Sequence, residues 1–348
     1  MKTPIRTSSP APCWQRGFSL IELMIAMVLG LLVIGAATAV FLSNSQSYRS
    51  NSALSQIQEN SRIAFELMAR DIRQAGLTGC GNAARIGNTL NNGTAKAAES
   101  GGTADWWADF DNALHGYDGD QTDPAVAVGS GSADRVDGTD SVQLIGASNT
   151  GWSIATDTPA DYKFTLNESS ADLEAGDIVI VCDPDHAAIT QISAYTASSQ
   201  TVEHNSPNAQ APGNCSQGLG FPTQCTATGN SYQFAANSQV SKLQSVDWYV
   251  GNNPVGTTSL YRMALTTSGG DATTVAQEMV REVTGMQIQY HVNGQTAFAD
   301  ASTLSTSDWA AVDAVRLSLK FSSTEQAGTD AAPLSRQLQY TVTLRNRI

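Results

Sequence analysis

Charged side chains are scarce in this 348-residue chain, and basic ones are scarcest. Asp, Glu, Lys and Arg together make up 15% of the residues, and aromatic residues make up 7%. The 19 basic side chains face 32 acidic ones, which gives a net charge of −13. Nucleic-acid binding requires Lys and Arg side chains that neutralise phosphates. The composition therefore predicts that nucleic acid is not a partner.

Enzyme motifs are missing as well. The sequence contains no GxSxG, HExxH, Walker A or dinucleotide-binding glycine pattern, and its four histidines are scattered. We therefore predict that the protein is not an enzyme, with no catalytic residues and no organic cofactor.

Calcium is the one metal for which the sequence offers candidate ligands. The candidates are five aspartates close together in sequence: Asp109, Asp111, Asp118, Asp120 and Asp123. Calcium binds several carboxylate and carbonyl oxygens on a flexible loop. An EF-hand loop starting at Asp109 would need glycine at its sixth position, which is Leu114 here. A solvated acidic loop without metal is the favoured interpretation, and a calcium site is the alternative.

Cysteines are few, and none has the spacing of a CxxC or zinc motif. Cys13 lies near the N-terminus, followed by Cys80, Cys182, Cys215 and Cys225. The last four form an even set, which is typical of two disulfides in an oxidising compartment. Of the three pairings that four cysteines allow, the short loop between Cys215 and Cys225 favours that pair together with Cys80–Cys182. Free buried thiols are the alternative.

Polar residues are almost absent from one long segment near the N-terminus. Residues 18–42 are apolar, after a leader that holds Lys2, Arg6 and Arg16 and no acid. About 20 apolar residues can span a bilayer, so a membrane helix is predicted. Glu22 breaks the pattern, and an acidic residue deep in a bilayer costs roughly 2.5–3.5 kcal/mol on insertion scales. We therefore expect a partner that neutralises Glu22.

Two general interpretations of this segment leave Glu22 unexplained. A cleaved secretory signal could end at the small residues 37–39, but its apolar core is usually only about 7–15 residues long. A plain membrane anchor has the right length but gives no reason for an acid in the first turn. A favourable interaction of Glu22 with the helix dipole is the simplest alternative.

Residues 43–75 are more polar but keep a helical pattern. Apolar residues recur at steps of three or four, with Ser61 filling the one longer gap, which predicts an amphipathic half of the same helix. They are Leu54, Ile57, Ala64, Met68, Ile72 and Ala75. Gly76 is expected to end the helix. Charged residues, including Asp71 and an i,i+4 pair of Glu66 with Arg70, are predicted to form a solvated face, with a docking surface as the alternative.

The rest of the chain predicts a β-rich head. Residues 76–138, rich in Gly, Asn, Asp and Ala, are interpreted as a loop-rich connection that Trp106, Trp107, Phe110 and Tyr117 attach to the core. In residues 139–348, apolar and polar residues alternate between Gly, Asn, Ser and Pro breaks, which indicates antiparallel strands. The runs are SVQLIGA, YKFTL, GDIVIVCD, AAITQISAY, SYQFA, KLQSVDWYV, SLYRMAL, MQIQYHV, AVRLSLKFSS and QLQYTVTLRN. The predicted fold class is α+β, with one sheet or two subdomains in the head.

RGFSLIELMIAM, at residues 16–27, resembles the class III leader of type IV pilins and pseudopilins. The resemblance implies that prepilin peptidase cuts between Gly17 and Phe18 and that Phe18 is then N-methylated. Loss of the leader, residues 1–17, would leave 16 basic and 32 acidic side chains, a net charge of −16. In that family the glutamate at the position of Glu22 pairs with the free amine of a neighbouring subunit, here the amine of Phe18.

Other segments are similar to PilW-type minor pilins. They are ENSRIAFELMARDIRQAGLTGCG (59–81), DIVIVCDP (177–184), REVTGMQIQYHV (281–292), AVRLSLKFSS (314–323) and YTVTLRNRI (340–348). The resemblance implies a type IV pilin-like fold and a structural subunit that primes or caps pilus assembly. Its helix would bundle with other minor pilins and the major pilin. A shorter relative, the J-type pseudopilin of type II secretion, is one alternative, and a tip adhesin that uses residues 82–138 is another.

The same resemblance implies a location. Basic residues stay on the cytoplasmic side of a membrane, so the leader would be cytoplasmic and the head periplasmic, with one pass through the inner membrane. Prepilin peptidase, the inner-membrane assembly platform and membrane lipid are the further partners implied. The mature protein would then enter the pilus at the cell surface, where it would serve motility and adhesion, in the shaft or at the tip.

Overall fold

The computed structural model describes residues 17–80, 85–326 and 332–344. The leader predicted at residues 1–17, including Cys13, therefore lies outside the described residues except for Gly17. The chain divides into two units, one running to Ser52 and the other from Ala53 to Ile348. Each unit contains part of the first helix, α1 (Leu20–Gln74).

The first half of α1 carries no core of its own. None of the described residues from 17 to 52 is buried. From Ala53 onward the helix has a buried stripe, and the predicted positions Ile57, Ala64 and Met68 belong to it. Ser61 is also buried, and its hydroxyl donates a 2.8 Å hydrogen bond to the carbonyl oxygen of Gln58. The prediction of an apolar half followed by an amphipathic half is confirmed.

The helix ends where the sequence predicted. Gly76 has a φ of 76°, a conformation that glycine adopts without steric cost. Its N–H donates a 2.8 Å bond to the carbonyl oxygen of Ile145, and Ala147 donates a 2.7 Å bond to that of Leu77. These two bonds connect the end of α1 directly to the first long strand of the head.

Two sheets form the head among the described residues. The larger, 11-stranded sheet consists of β1 (Ile86–Asn88), β2 (Leu114–Tyr117), β3 (Ser141–Thr158), β4 (Lys163–Leu166), β5 (Ile178–Cys182), β6 (Ala187–Gln191), β7 (Ala194–Thr196), β8 (Thr201–Glu203), β9 (Gln239–Asn252), β10 (Thr258–Ser268) and β11 (Asp271–Arg281). The 4-stranded sheet consists of β12 (Val283–Val292), β13 (Phe298–Asp300), β14 (Val312–Ser322) and β15 (Ser335–Thr343). Two short helices, α2 (Thr94–Ser100) and α3 (Thr306–Ala310), lie in the connections.

The strands pair antiparallel, as predicted, except that β1 runs parallel to β6. In the larger sheet the order is β1-β6-β5-β9-β3-β4-β8-β7, with β10 and β11 joined through β9 and β2 through β3. The smaller sheet has the order β13-β12-β14-β15. One apolar cluster joins the buried stripe of α1 to strands of both sheets. The two sheets therefore share one core.

The sequence predicted one strand that does not form and missed five strands that do. SYQFA (231–235) forms no strand, although Tyr232 and Phe234 pack on each other with ring centroids 4.9 Å apart. The strands β1, β2, β8, β11 and β13 were missed. In the connection, Trp107 and Phe110 are buried in a second apolar cluster and Trp106 packs against it, as predicted.

Candidate assembly surface

The start of α1 is held by a reciprocal pair of hydrogen bonds between Ser19 and Glu22. The backbone N–H of Glu22 donates to Oγ of Ser19 at 3.2 Å, and the backbone N–H of Ser19 donates to Oε2 of Glu22 at 3.2 Å. This arrangement is a capping box, which satisfies backbone donors that have no partner within the helix. Gly17 and Phe18 precede it, outside the helix and exposed. The sequence pattern indicated the helix-dipole alternative for Glu22 but not this cap.

The surface that follows is apolar on every side. Phe18 is 85% exposed, and large apolar residues up to Leu42 are more than half exposed. α1 is long and apolar enough to cross a membrane. Burying apolar surface yields roughly 25 cal/mol per Å². Residues 18–42, which we call the apolar half, therefore require a lipid or protein covering.

A buried polar cluster fixes the second half of α1 to the head. Asp71 is 7% exposed. Its Oδ2 accepts hydrogen bonds from Nε of Arg262 at 2.9 Å and from Nε1 of Trp248 at 3.0 Å. Its Oδ1 accepts a 3.0 Å bond from Nε2 of Gln244. The placement of Asp71 on a solvated face was therefore wrong, because strands β9 and β10 surround it with donors.

The outward face of the same helix half carries exposed charges. Glu66 lies 3.6 Å from Nε of Arg62, and both side chains are at least 70% exposed. The predicted partner, Arg70, is exposed and makes no ion pair among the described residues. The predicted partner was therefore wrong. Glu66 pairs with Arg62, four residues before it, and not with Arg70, four residues after it. Solvent screens such pairs, so this face contributes little stability.

Two family models match the chain, and their matched ranges include parts of the head and of α1 described above. The model for Type IV Pilus-assembly protein W matches residues 247–346, which cover the last part of β9 to β15. The model for the prokaryotic N-terminal methylation motif matches residues 15–38, which contain the capping box and most of the apolar half. Together, the two matches support a type IV minor pilin of the PilW family.

A shorter similarity agrees with this assignment. The pilin-like protein PilA3 of Thermus thermophilus is 31% identical over 62 residues. That similarity covers 18% of this pilin and 27% of PilA3. The pilin therefore matches about a quarter of the length of that relative.

Both predicted disulfides are present in the pilin. Cys80 is bonded to Cys182 across 102 residues of sequence, and Cys215 is bonded to Cys225 across 10. The first joins the segment after α1 to the end of β5, because Cys182 is the last residue of that strand. It therefore fixes the exit of the helix to the larger sheet.

The aspartates considered as calcium ligands serve other contacts. Asp118 accepts bonds from the backbone N–H groups of Ala301 and Ser302 at 3.0 and 2.8 Å. Asp123 is buried and accepts a 2.8 Å bond from Nε2 of Gln143. Each of these carboxylates thus positions a different part of the head.

The other three aspartates have different surroundings. Asp109 accepts a 2.7 Å bond from Nδ2 of Asn112, and Asp111 and Asp120 are exposed. In the part of the chain that the structure describes, no group of three or more acidic, histidine or cysteine side chains could hold a metal ion. Among the described residues, the five aspartates therefore form no such group.

Burial favours the neutral form of two other aspartates in the head. The pKa of Asp140 is raised to about 6, chiefly by burial, although its carboxylate accepts a 2.7 Å bond from the N–H of Ile288. The pKa of Asp247, on β9, is raised well above its usual range by burial and then by the nearby Asp123. These acids belong to the packed interior of the pilin.

Proposed function

We propose that this pilin is a structural, non-enzymatic subunit that primes or caps the assembly of a type IV pilus. The observation that carries the proposal is the exposed apolar half. Lipid covers this surface while the subunit waits in the membrane, and the helices of other pilins cover it after assembly. Other minor pilins, the major pilin and the inner-membrane assembly platform are the proposed partners.

Maturation supplies the amine that this proposal requires. Prepilin peptidase cuts between Gly17 and Phe18, and Phe18 is N-methylated. Both residues fall within the matched methylation motif and lie outside the helix, where a protease can reach them. The mature chain then consists of residues 18–42, the membrane and bundling half; 43–75, the amphipathic half; 76–138, the connection; and 139–348, the head.

Glu22 sets the axial position of the subunit in the bundle. Its carboxylate has about four lone-pair sites, and the 3.2 Å bond from Ser19 occupies only one of them. The remaining sites can accept N–H groups of the Phe18 amine of a neighbouring subunit. Removing one member of a buried ion pair costs roughly 3–5 kcal/mol, because the other charge stays buried without a partner. A register that left both charges unpaired is therefore strongly disfavoured.

The proposed location follows from the same features. The subunit spans the inner membrane once, with its leader in the cytoplasm and its head in the periplasm, and later moves into the pilus. A pseudopilin of a type II secretion system would share the anchor and the maturation step. The position of the present subunit, in the shaft or at the tip of the pilus, depends on which partners its helix joins first.

Substitution of Glu22 and Ser19 tests the proposal. Glu22→Ala is expected to leave membrane insertion, cleavage and methylation intact, but to prevent recovery of the subunit with other pilins and to reduce pilus number. Ser19→Ala, the matched control, removes one bond of the capping box and keeps the carboxylate, so assembly should continue. Normal pili in Glu22→Ala would refute the charge pairing. Equal defects in both variants would assign Glu22 to the local cap.

A tip adhesin is the second candidate, but the paired tryptophans do not support it. Trp107 is buried and Trp106 packs against the same apolar cluster. These rings hold the connection to the core and present little surface to a ligand. A binding role must rest on another part of the head.

A further inference from the structure

A polar groove of about 440 Å³ lies in the head, beside the exit of α1. Ligand sites commonly occupy roughly 300–1,000 Å³. The residues that carry the argument are Asn149, Trp152, Ser153, Glu168, Gln239 and Ser241. We call this feature the Trp152 groove. It is distinct from the apolar half and from the Asp71 cluster.

An irregularity in β3 creates the groove. Ala147 pairs with Leu243 and Gly151 pairs with Ser241 on β9, so residues 148–150 occupy a space where β9 has Lys242 alone. Extra residues of this kind bend a strand and change the direction of its side chains, and they are frequent next to binding sites. Here Ser148 and Asn149 become part of the groove wall.

A disulfide and two glycines hold the facing wall close. Cys80–Cys182 fixes the segment 77–79 against the start of β9, where Cys182 pairs with Gln239. A Cβ on Gly79 would lie 3.3 Å from Oε1 of Gln239, and a Cβ on Gly151 would lie 3.0 Å from Oγ of Ser241. Neither glycine has room for a larger side chain without movement. Close packing at these two glycines therefore contributes to the shape of the groove.

The groove offers hydrogen-bonding groups that the fold does not use. Gln239 is exposed, and neither its amide nor the hydroxyl of Ser241 makes a side-chain hydrogen bond among the described residues. Glu168 is held in place by the N–H of Ser153 at 3.0 Å and its hydroxyl at 2.9 Å. The N–H bond is the main reason that the pKa of Glu168 is lowered. Its carboxylate is thus ionised and fixed in orientation.

The groove also contains an aromatic ring that could contact a ligand. Trp152 lines the groove and is half-buried, with part of its side chain packed against an apolar cluster of the head. A tryptophan supported in this way can offer a rigid face to the C–H groups of a ligand ring. Among the described residues no Lys or Arg lines the groove, and its one charged residue is the acid Glu168. Phosphates and other anions are therefore poor ligands for it.

We propose that the Trp152 groove binds a neutral carbohydrate. A sugar ring has an apolar face for Trp152 and hydroxyl groups that donate to Glu168 and exchange hydrogen bonds with Gln239 and Ser241. This function goes beyond the assembly role, because none of these residues lies on α1. It would give the pilin a means of attachment to glycan surfaces.

Glycan binding can be measured on the full mature pilin. The protein is purified in an amine-oxide detergent, because sugar-based detergents would occupy the groove, and applied to an array of neutral and anionic oligosaccharides. The expected result is binding to one or more neutral glycans containing hexoses or N-acetylhexosamines, with weaker binding to sialylated or sulfated forms. Failure to bind any neutral glycan above background, or a preference for anionic glycans, would overturn the proposal.

Three variants then assign the binding to the groove. Calorimetric titration with the best glycan should show affinity at least about tenfold lower for Trp152→Ala, because ring stacking and its buried area are lost. Gln239→Ala should also bind more weakly, and this exposed residue provides the test if Trp152→Ala does not fold. Phe221→Ala removes an exposed aromatic ring outside the groove, so it is the matched control and should bind normally.

If affinity is unchanged in both Trp152→Ala and Gln239→Ala, or is lost equally in Phe221→Ala, the glycan binds elsewhere. Pilus number in Gln239→Ala separates this proposal from the assembly role. It should remain normal, so a negative glycan result would leave the proposed assembly function untouched.

Discussion

The carboxylate of Asp71 on α1 accepts a 2.9 Å hydrogen bond from Nε of Arg262 on β10. The two residues are 191 positions apart in sequence. Trp248 on β9 adds a second donor to the same oxygen at 3.0 Å. These bonds attach the second half of α1 to strands β9 and β10 of the head.

Removal of the Asp71 carboxylate should destabilise the pilin strongly. Asp71→Ala leaves the guanidinium of Arg262 partly buried without its anion and the indole N–H of Trp248 without an acceptor. We expect the free energy of unfolding to fall by about 2–4 kcal/mol. Urea unfolding of the full chain in detergent micelles, followed by tryptophan fluorescence, measures this change.

Glu66→Ala is the matched control for Asp71→Ala. It removes a carboxylate about one and a half turns earlier on the same helix, in an exposed pair with Arg62. Its effect should stay within about 0.5 kcal/mol, because solvent screens the pair. Similar losses in the two variants would show that the Asp71 cluster has no special role.

Sequence patterns predicted α1 well because its signals are local. The apolar half, the stripe through Ile57 and Met68, and the end at Gly76 all depend on residues close together in the chain. Asp71 was misplaced for the opposite reason. Helical spacing shows which face a residue occupies, but the donors that bury Asp71 come from strands far along the sequence.

The strands show the same contrast between features that local sequence predicts and features that depend on distant contacts. β5 was recognised because its five residues are apolar, and all of them are buried. β11 was missed because it is an edge strand, paired only with β10, and its largely small and polar residues alternate between exposed and half-buried positions. The Trp152 groove could not be predicted either, because it depends on a pairing irregularity that leaves no mark in composition.

The two disulfides should differ in their effect on stability. In the chain-entropy account, a cross-link stabilises more when it closes a longer loop. Replacing Cys80 and Cys182 with serine should lower the free energy of unfolding by about 3–5 kcal/mol, and replacing Cys215 and Cys225 by about 2–3 kcal/mol. Urea midpoints of the two double variants give the comparison. A larger loss for the Cys215–Cys225 variant would contradict the ranking.

His204 should make the pilin less stable in acid. Burial lowers its pKa to about 4, and its ring stacks on Phe164. Between pH 6.5 and pH 4 the unfolded chain binds a proton at this imidazole and the folded chain does not, so stability falls as the pH falls. Between pH 7 and pH 4.5 this loss is about 2 kcal/mol. His204→Phe should remove it, as urea unfolding at the two pH values would show.

His291 provides a control of opposite sign. Its pKa is raised, first of all by the hydrogen bond with Asp313. The stability it contributes is present below pH 6.5 and is lost as the pH rises through the raised pKa. His291→Gln should therefore increase the loss of stability on acidification, whereas His204→Phe should decrease it. Changes of the same sign in both variants would contradict these assignments.

Gly17 should be essential for maturation but not for folding. A Cβ at Gly17 would meet nothing within 4 Å, so Gly17→Leu should fold normally. We expect it to remain uncut, because a large side chain beside the cleaved bond would obstruct the peptidase. Gly35→Leu is the matched control, since Gly35 is equally free of neighbours, and its mature chain should start at N-methylated Phe18. Intact-mass spectrometry reads both outcomes. A start at Val40 in both variants would instead identify a secretory signal that ends at residues 37–39.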